Sequence, residues 1–496
     1  MGKKSLLLLI GACLVYTAFS QRKSIPVFPK SAMQEDMRLL KKILEANHPS
    51  LYWYSTKNHI DSIYALVYNS LPDTLNEIQY RNKLAYWISE IKCGHTSVRY
   101  SKKFTKQLNS HRYPSFPLSI KVWKDSMVVL GNRRLTDSML KRGTIITAIN
   151  NRPNKEIIDS LFHFISTDGN ANNHKNQVLS NNFPDWYKGV FGIDSSFTIN
   201  YIDSFGKAAT VHIKSFDLLP PIKDSTVKTI PKLPTIVPQQ PTLNKRQRNL
   251  LAKRVLFIDS THKTAVMRLS TFSGGRLKRF FRTSFRTMQQ LAITDLVIDL
   301  RDNGGGRVQN HIKLSKYLSD HPFKIGDTVQ AISRKFEYGR HIHPAWIYWI
   351  AMNIGGRKAA DGTIHYRRYE RHYFNPKTTN HFTGNIYLLQ GGYSFSAATM
   401  FISTLKGQKN VTVVGEETGG GWYGNSAMHI PDIKLPNSKL LVRLPMYRLV
   451  INTNREKGGG IIPDWQIQPS SEAIKKGIDL KMSLIQAEIN RNKQKR

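Results

Sequence analysis

Residues 293–307 read ITDLVIDLRDNGGGR, and the way an apolar run ends there decides the fold. LVIDL has the length and β-branched content of a strand buried on both faces. It stops at a charged pair and three glycines, which are nearly bare backbone, free to take positive φ and to let another molecule come close. A buried strand opening into such a loop predicts an interior parallel strand with a ligand-facing turn at its carboxyl end.

Working outward, strand and helix signals alternate from about residue 255. TAVMRLSTF reads as a strand, the segment around FFRTSFRTMQQL as a helix, the stretch after NGGG as a helix, NIYLLQ as a strand, SAATMFISTLK as a helix and VTVVGE as a strand. Upstream, MQEDMRLLKKILEANHPSLYWY and two further segments up to residue 91 show helical periodicity. Between them, LSIKVW, SMVVLG, GTIITAIN and SFTINYI are short strands separated by turn residues. LKRGTIITAINNRP resembles the turn–strand–turn of PDZ modules, without a clear carboxylate-binding loop. The fold class is therefore α/β and multidomain. Residues 30–110 are expected to form an N-terminal helical domain, 113–216 a strand-rich PDZ-like module, 217–254 a Pro- and Lys-rich linker, and 255–490 an α/β domain.

With 496 residues and 40% hydrophobic content, the chain is long and apolar enough to bury several cores, which excludes a disordered protein. Residues 1–20 carry two lysines, an apolar run and a small-residue end, the pattern of a signal peptide; export to the periplasm or cell envelope is expected. Ile10-Gly11-Ala12-Cys13 is an alternative lipoprotein box, ranked second because the apolar run continues past Cys13. Only Cys93 then remains, so no intramolecular disulfide is expected. No paired cysteines and no HExxH helix point to a metal, and no cofactor is expected. The formal charge of +39 predicts attraction to anionic envelope surfaces, with no module for specific nucleic-acid recognition.

The turn after NIYLLQ is GGYSFSAA, residues 391–398. A serine between a strand and a helix of small residues sits where backbone N–H groups favour developing negative charge. Taken alone, Ser394 or Ser396 reads more readily as a helix cap than as a nucleophile. Together with Asp299-Leu300-Arg301-Asp302-Asn303-Gly304-Gly305-Gly306, VVGEETGG at 413–420 and the closing GIIPD at 460–464, however, the chain resembles the tail-specific, or C-terminal processing, serine peptidases of family S41. The resemblance implies a ClpP/crotonase-like core with Ser396 as nucleophile. It also implies an oxyanion hole from the Ala397 N–H and a glycine N–H of the loop, at Gly304 or Gly305.

In the Ser-Lys branch of that family a lysine follows the VVGE segment, but Gly421 stands there. Cys93-Gly94-His95-Thr96 resembles the GHT segment of the histidine-base, tricorn-like branch, which implies His95 as base and Glu456 as the carboxylate orienting it. Glu416 and Glu417 are rival acids, read as structural. Cys93 lacks a nucleophile's setting and reads as a buried filler. Two functions follow. One is an exported serine endopeptidase cleaving extended or unfolded polypeptide through an acyl-enzyme. The other is an inactive binding protein for a peptide or apolar ligand on the same scaffold. Retention of serine, histidine and glycine loop together favours the enzyme. Oligomeric state is not legible.

Overall fold

The computed structural model describes residues 24–110, 113–134, 139–192, 194–203, 205–216 and 243–494. The segment expected to be a signal peptide, Cys13 and most of the expected linker lie outside the described residues. Helical periodicity at the start produces α1 (Lys30–Asn47), α2 (Lys57–Asn69) and α3 (Glu77–Ser89). Met33, Met37, Leu40 and Leu44 of α1 form a fully buried stripe, the spacing of one helical face. Asn76 and Gln79 close a reciprocal capping box at the head of α3, which satisfies donors that the first turn leaves unpaired.

These helices share one apolar core with residues far along the chain, including Val329, Tyr447 and Leu449. The change in sequence pattern near residue 110 is thus not a boundary in packing. A short strand just after His95, β1 (Val98–Arg99), strengthens the tie by pairing antiparallel with residues 441–442.

The middle module is a sheet of β2 (Leu118–Trp123), β3 (Ser126–Asn132), β4 (Ile145–Ile149), β5 (Ser196–Ile202) and β6 (Ala208–Lys214), in that order. Alternation in LSIKVW puts Leu118, Ile120 and Val122 inside. Two helices, α4 (Asn154–Phe162) and α5 (Asn172–Phe191), pack on this core. The long α5 stands where the sequence shows no helical signal. Its NNHKNQVLSNNFPDW is Asn-rich and interrupted by Pro184, with Asn182 outside helical geometry at φ −152°.

The mainly parallel sheet has the order β7 (Arg254–Asp259), β8 (Thr264–Leu269), β9 (Asp295–Asp299), β10 (Asn385–Gln390), β11 (Val411–Gly415) and β13 (Trp465–Gln466). β7 is antiparallel to β8, and the others run parallel. Both faces are covered, as a parallel sheet requires. On one side, α6 (Leu277–Gln290), α7 (Val308–Ser315) and α9 (Ala397–Leu405) bury Phe281, Leu314 and Phe401 against Met267, Ile298 and Leu388. On the other, α10 (Leu480–Gln494) seats Ile485 and Ile489 on Val297, Leu389 and Val414. Between α7 and β10 the chain carries α8 (Ala345–Gly355), whose Trp346, Trp349 and Ile354 are 67%, 50% and 74% exposed. The remaining strand used below is β12 (Leu441–Arg443), the partner of β1.

Candidate active site

The turn from β10 into α9 forces Ser396 into φ 56°, ψ −121°, a conformation that costs an L-residue energy and persists only when its surroundings over-determine it. Those surroundings are visible. The Phe395 N–H donates to Asn303 O at 3.0 Å, and the N–H groups of Gly419 and Gly420 donate to Ser394 O at 3.1 and 3.3 Å. Thr399 Oγ1 donates to the same oxygen at 3.0 Å. The Ser394 hydroxyl is consumed, donating to Leu300 O at 2.8 Å and accepting from the Gly391 N–H at 3.1 Å. Ser396, by contrast, opens onto a cleft of about 800 Å³. The two serines of YSFSAA thus separate into a structural one and a presented one.

The glycine loop lies directly against this elbow. A Cβ on Gly305, whose φ is +96°, would stand 2.7 Å from both Phe395 O and Ser396 Cβ, so only glycine fits. Asn303 is the strut of the loop: fully buried, it donates to Leu269 O at 3.0 Å and accepts the Gly305 N–H at 2.9 Å. The Gly305 amide is therefore engaged. The amides of Gly304 and Gly306 have no partner among the described residues, and Ala397 is the first residue of α9, where an N–H has no intrahelical acceptor. The glycines of VVGEETGG serve the same close packing. At Gly421 a Cβ would meet Gly424 O at 2.4 Å, which leaves no space for the lysine of a Ser-Lys pair.

His95 lines the same cleft, 5% exposed, with its ring centroid 4.7 Å from that of Phe395. Its loop is pinned by Thr96 N–H to Cys93 O (2.9 Å), Gly94 N–H to Asp168 Oδ1 (2.8 Å) and the contact of Thr96 Oγ1 with His48 Nε2 (2.8 Å). Burial, then the charges of Arg443 and His174, push the imidazole down to about 3, so it is neutral throughout the neutral range. Its Nδ1 is buried without a hydrogen-bond partner. Glu456 is exposed and has no described contact with His95. The expected triad is not assembled in this arrangement; serine and histidine share the cleft and the glutamate lies outside it. Glu416 pairs with Lys481, and Glu417 accepts the Gly460 N–H at 2.7 Å, both structural uses. Cys93 is buried and its thiol is pushed up to about 12, as fits a filler.

Sequence reasoning missed a second histidine. His174, on α5, also lines the cleft, with its ring stacked on Phe395 at 4.8 Å. Its Nδ1 lies 2.9 Å from Gly392 O, an oxygen that only accepts, so Nδ1 carries the proton and Nε2 keeps its lone pair. No pattern in NNHKN signals this placement, because α5 belongs to another module.

Asp168, beneath the His95 loop, is fully enclosed, and burial raises its carboxyl to about 7 despite the Gly94 and Gly421 N–H groups. Between about pH 4 and 7 the folded chain holds a proton there that the unfolded chain has lost, so the contribution is full below about pH 4 and falls as pH rises through 7. Asp168→Asn keeps an acceptor for Gly94 without the buried charge. Its melting temperature is expected to match wild type near pH 4 and to exceed it by several degrees at pH 8. A constant difference across that range in scanning calorimetry would refute this placement of the proton.

A strained serine at a strand-to-helix turn, unbonded backbone amides in the same cleft and a buried neutral histidine are the elements of a serine-type peptidase. Residues 263–467 match peptidase family S41, a span that contains the glycine loop, the GGYSFSAA turn and the closing Pro-Asp. Among solved structures the chain is similar to mature CPAF, at 13% identity and TM-score 0.62, over 93% of this chain and 98% of that one. It is also similar to mature CPAF complexed with lactacystin, at 14% identity and TM-score 0.61, over 93% and 99%. The shared fold thus extends through the helical and strand-rich parts as well as the S41 segment. No curated protein sequence matches the chain.

Proposed function

We propose that the protein is an exported serine endopeptidase that cleaves extended or unfolded polypeptide, with Ser396 as nucleophile and His95 as base. The observation that carries this reading is the strained, presented Ser396 held against Gly305 in one cleft with His95. Ser396 Oγ attacks the scissile carbonyl carbon as the imidazole takes its proton. The carbonyl oxygen becomes an oxyanion facing the amides of Ala397 and of Gly304 and Gly306. Collapse breaks the C–N bond, the histidine returns the proton to the leaving amine, and water, deprotonated by the same histidine, releases the acyl group. Glu456 is left out because it is exposed. His174 is the second reading for the base, favoured by its fixed Nδ1–H tautomer. Digestion of unfolded casein by residues 21–496, with products read by mass spectrometry, tests the function. Ser396-dependent cleavage supports it. Inertness of the wild type across pH would favour the binding-protein reading.

The exposed face of α8 supports a proposal about where the enzyme works. Residues 332–382 hold nine Lys or Arg against three Asp or Glu, so the two exposed tryptophans belong to a stretch of net +6. Tryptophan with cations is the composition that beds into a bilayer interface rich in anionic lipid. At 11 residues α8 is far shorter than the about 20 needed to span a bilayer, so the proposed contact is with the surface. A second copy is the less favoured occupant, because the formal charge of +39 opposes self-association. Cosedimentation is expected with phosphatidylglycerol-containing vesicles but not with neutral ones, reduced at least about 10-fold in Trp346→Ala/Trp349→Ala. No vesicle binding, or a concentration-dependent dimer abolished by that variant, would overturn it.

A further inference from the structure

The cleft that holds Ser396 and His95 contains no aspartate or glutamate in its walls; its charged side chains are Arg307 and Arg443, with His95, His174 and His429 beside them. Arg443 is the telling one. It ends β12, opposite Asp432 in the neighbouring strand, and its N–H donates to Ser97 O at 3.1 Å, two residues beyond the catalytic histidine. Its charge bears directly on His95. Asp432, the nearby carboxylate, is taken by Arg99 instead. The Arg443 guanidinium is half-buried and makes no hydrogen bond or ion pair among the described residues. Five donors in a fixed fork, partly removed from water and left unmatched, suit a carboxylate, which such a fork grips with two parallel bonds.

We propose that the cleft selects acidic substrate: a carboxylate of the bound polypeptide pairs with Arg443 close to the scissile bond. Two sources supply that chemistry, an Asp or Glu side chain near the cut or a free C-terminal carboxylate. The inference rests on the cleft being the substrate site, and it names the substrate class that the endopeptidase reading leaves open. Basic segments are disfavoured on the same ground, since Arg307 and Arg443 would meet them with like charge and no carboxylate in the walls offsets this.

Binding separates this inference from catalysis. Fluorescence anisotropy on the full chain carrying Ser396→Ala, which cannot turn peptides over, is measured with matched labelled peptides. Their central residue is Glu, Ala or Lys, and each is made with a free and an amidated C-terminus. The Glu peptide is expected to bind about 10- to 100-fold more tightly than its Lys counterpart. If the terminal carboxylate is the partner, amidation removes the gain; if the side chain is, amidation leaves it. The overall positive charge attracts any acidic peptide, so the deciding comparison is Arg443→Ala against Arg286→Ala, an exposed arginine on α6 with the same change in charge. Arg443→Ala is expected to bring Glu and Ala peptides together, Arg286→Ala to leave them apart, and Arg443→Lys to keep part of the preference while guarding against misfolding. Equal affinities in the parent, or equal effects of the Arg443 and Arg286 substitutions, would overturn the proposal even if casein is cleaved.

Discussion

Ser396→Ala is expected to lower peptide hydrolysis by about 10⁴- to 10⁶-fold, the scale on which an acyl-enzyme route collapses once its nucleophile is gone. The melting temperature should hold or rise slightly. The Ser396 hydroxyl makes no described hydrogen bond, so its removal leaves no buried partner unsatisfied, while the strained φ of 56° is as accessible to alanine as to serine. Ser394→Ala is the contrasting variant. That hydroxyl bridges Leu300 O and the Gly391 N–H inside the protein, so its loss is expected to appear mainly as destabilisation of about 1–3 kcal/mol. Kinetics and calorimetry on the two variants therefore separate chemistry from scaffold. If Ser394→Ala abolished turnover at full stability and Ser396→Ala did not, the assignment within YSFSAA would be reversed.

Gly305→Ala should rank next, with an expected loss of about 10²- to 10³-fold in kcat and little change in KM. The added methyl must occupy φ +96° and intrude to 2.7 Å on the atoms that define the elbow, Phe395 O and Ser396 Cβ. Neither neighbour is the free end of a flexible side chain, so the elbow itself must shift, and displacing a donor from a developing oxyanion costs a factor of this size. An unimpaired Gly305→Ala enzyme in a steady-state assay would mean that the glycine loop does not face the reacting carbonyl.

Much of this was legible in local pattern. The strand LVIDL, the GGYSFSAA turn and the glycines of VVGEETGG announce themselves because burial on both faces, a strand-to-helix turn and close backbone approach each demand particular residues within a few positions. What escaped depends on contacts distant in sequence. His174 arrives on a helix whose Asn-rich, Pro-interrupted sequence carries no helical signature, and it meets Gly392 across more than two hundred residues. The placement of Arg443 arises only when β12 pairs with β1 beside the histidine loop. The helical segment looks like a domain in periodicity, yet its apolar face is completed by Val329, Tyr447 and Leu449. Glu456 was placed by its position relative to GIIPD, a spacing that fixes no direction for the side chain, and it points to solvent.

The central claim is that Ser396 is a nucleophile activated by His95. Its most direct test is the rate of covalent labelling by a peptidyl diphenyl phosphonate, followed by intact mass and peptide mapping, in wild type, His95→Ala and His174→Ala. A single adduct on Ser396, slowed at least about 10³-fold by His95→Ala and within a few-fold of wild type in His174→Ala, is the predicted result. Labelling at another residue, or a rate that His95→Ala leaves intact while His174→Ala abolishes it, would contradict the account.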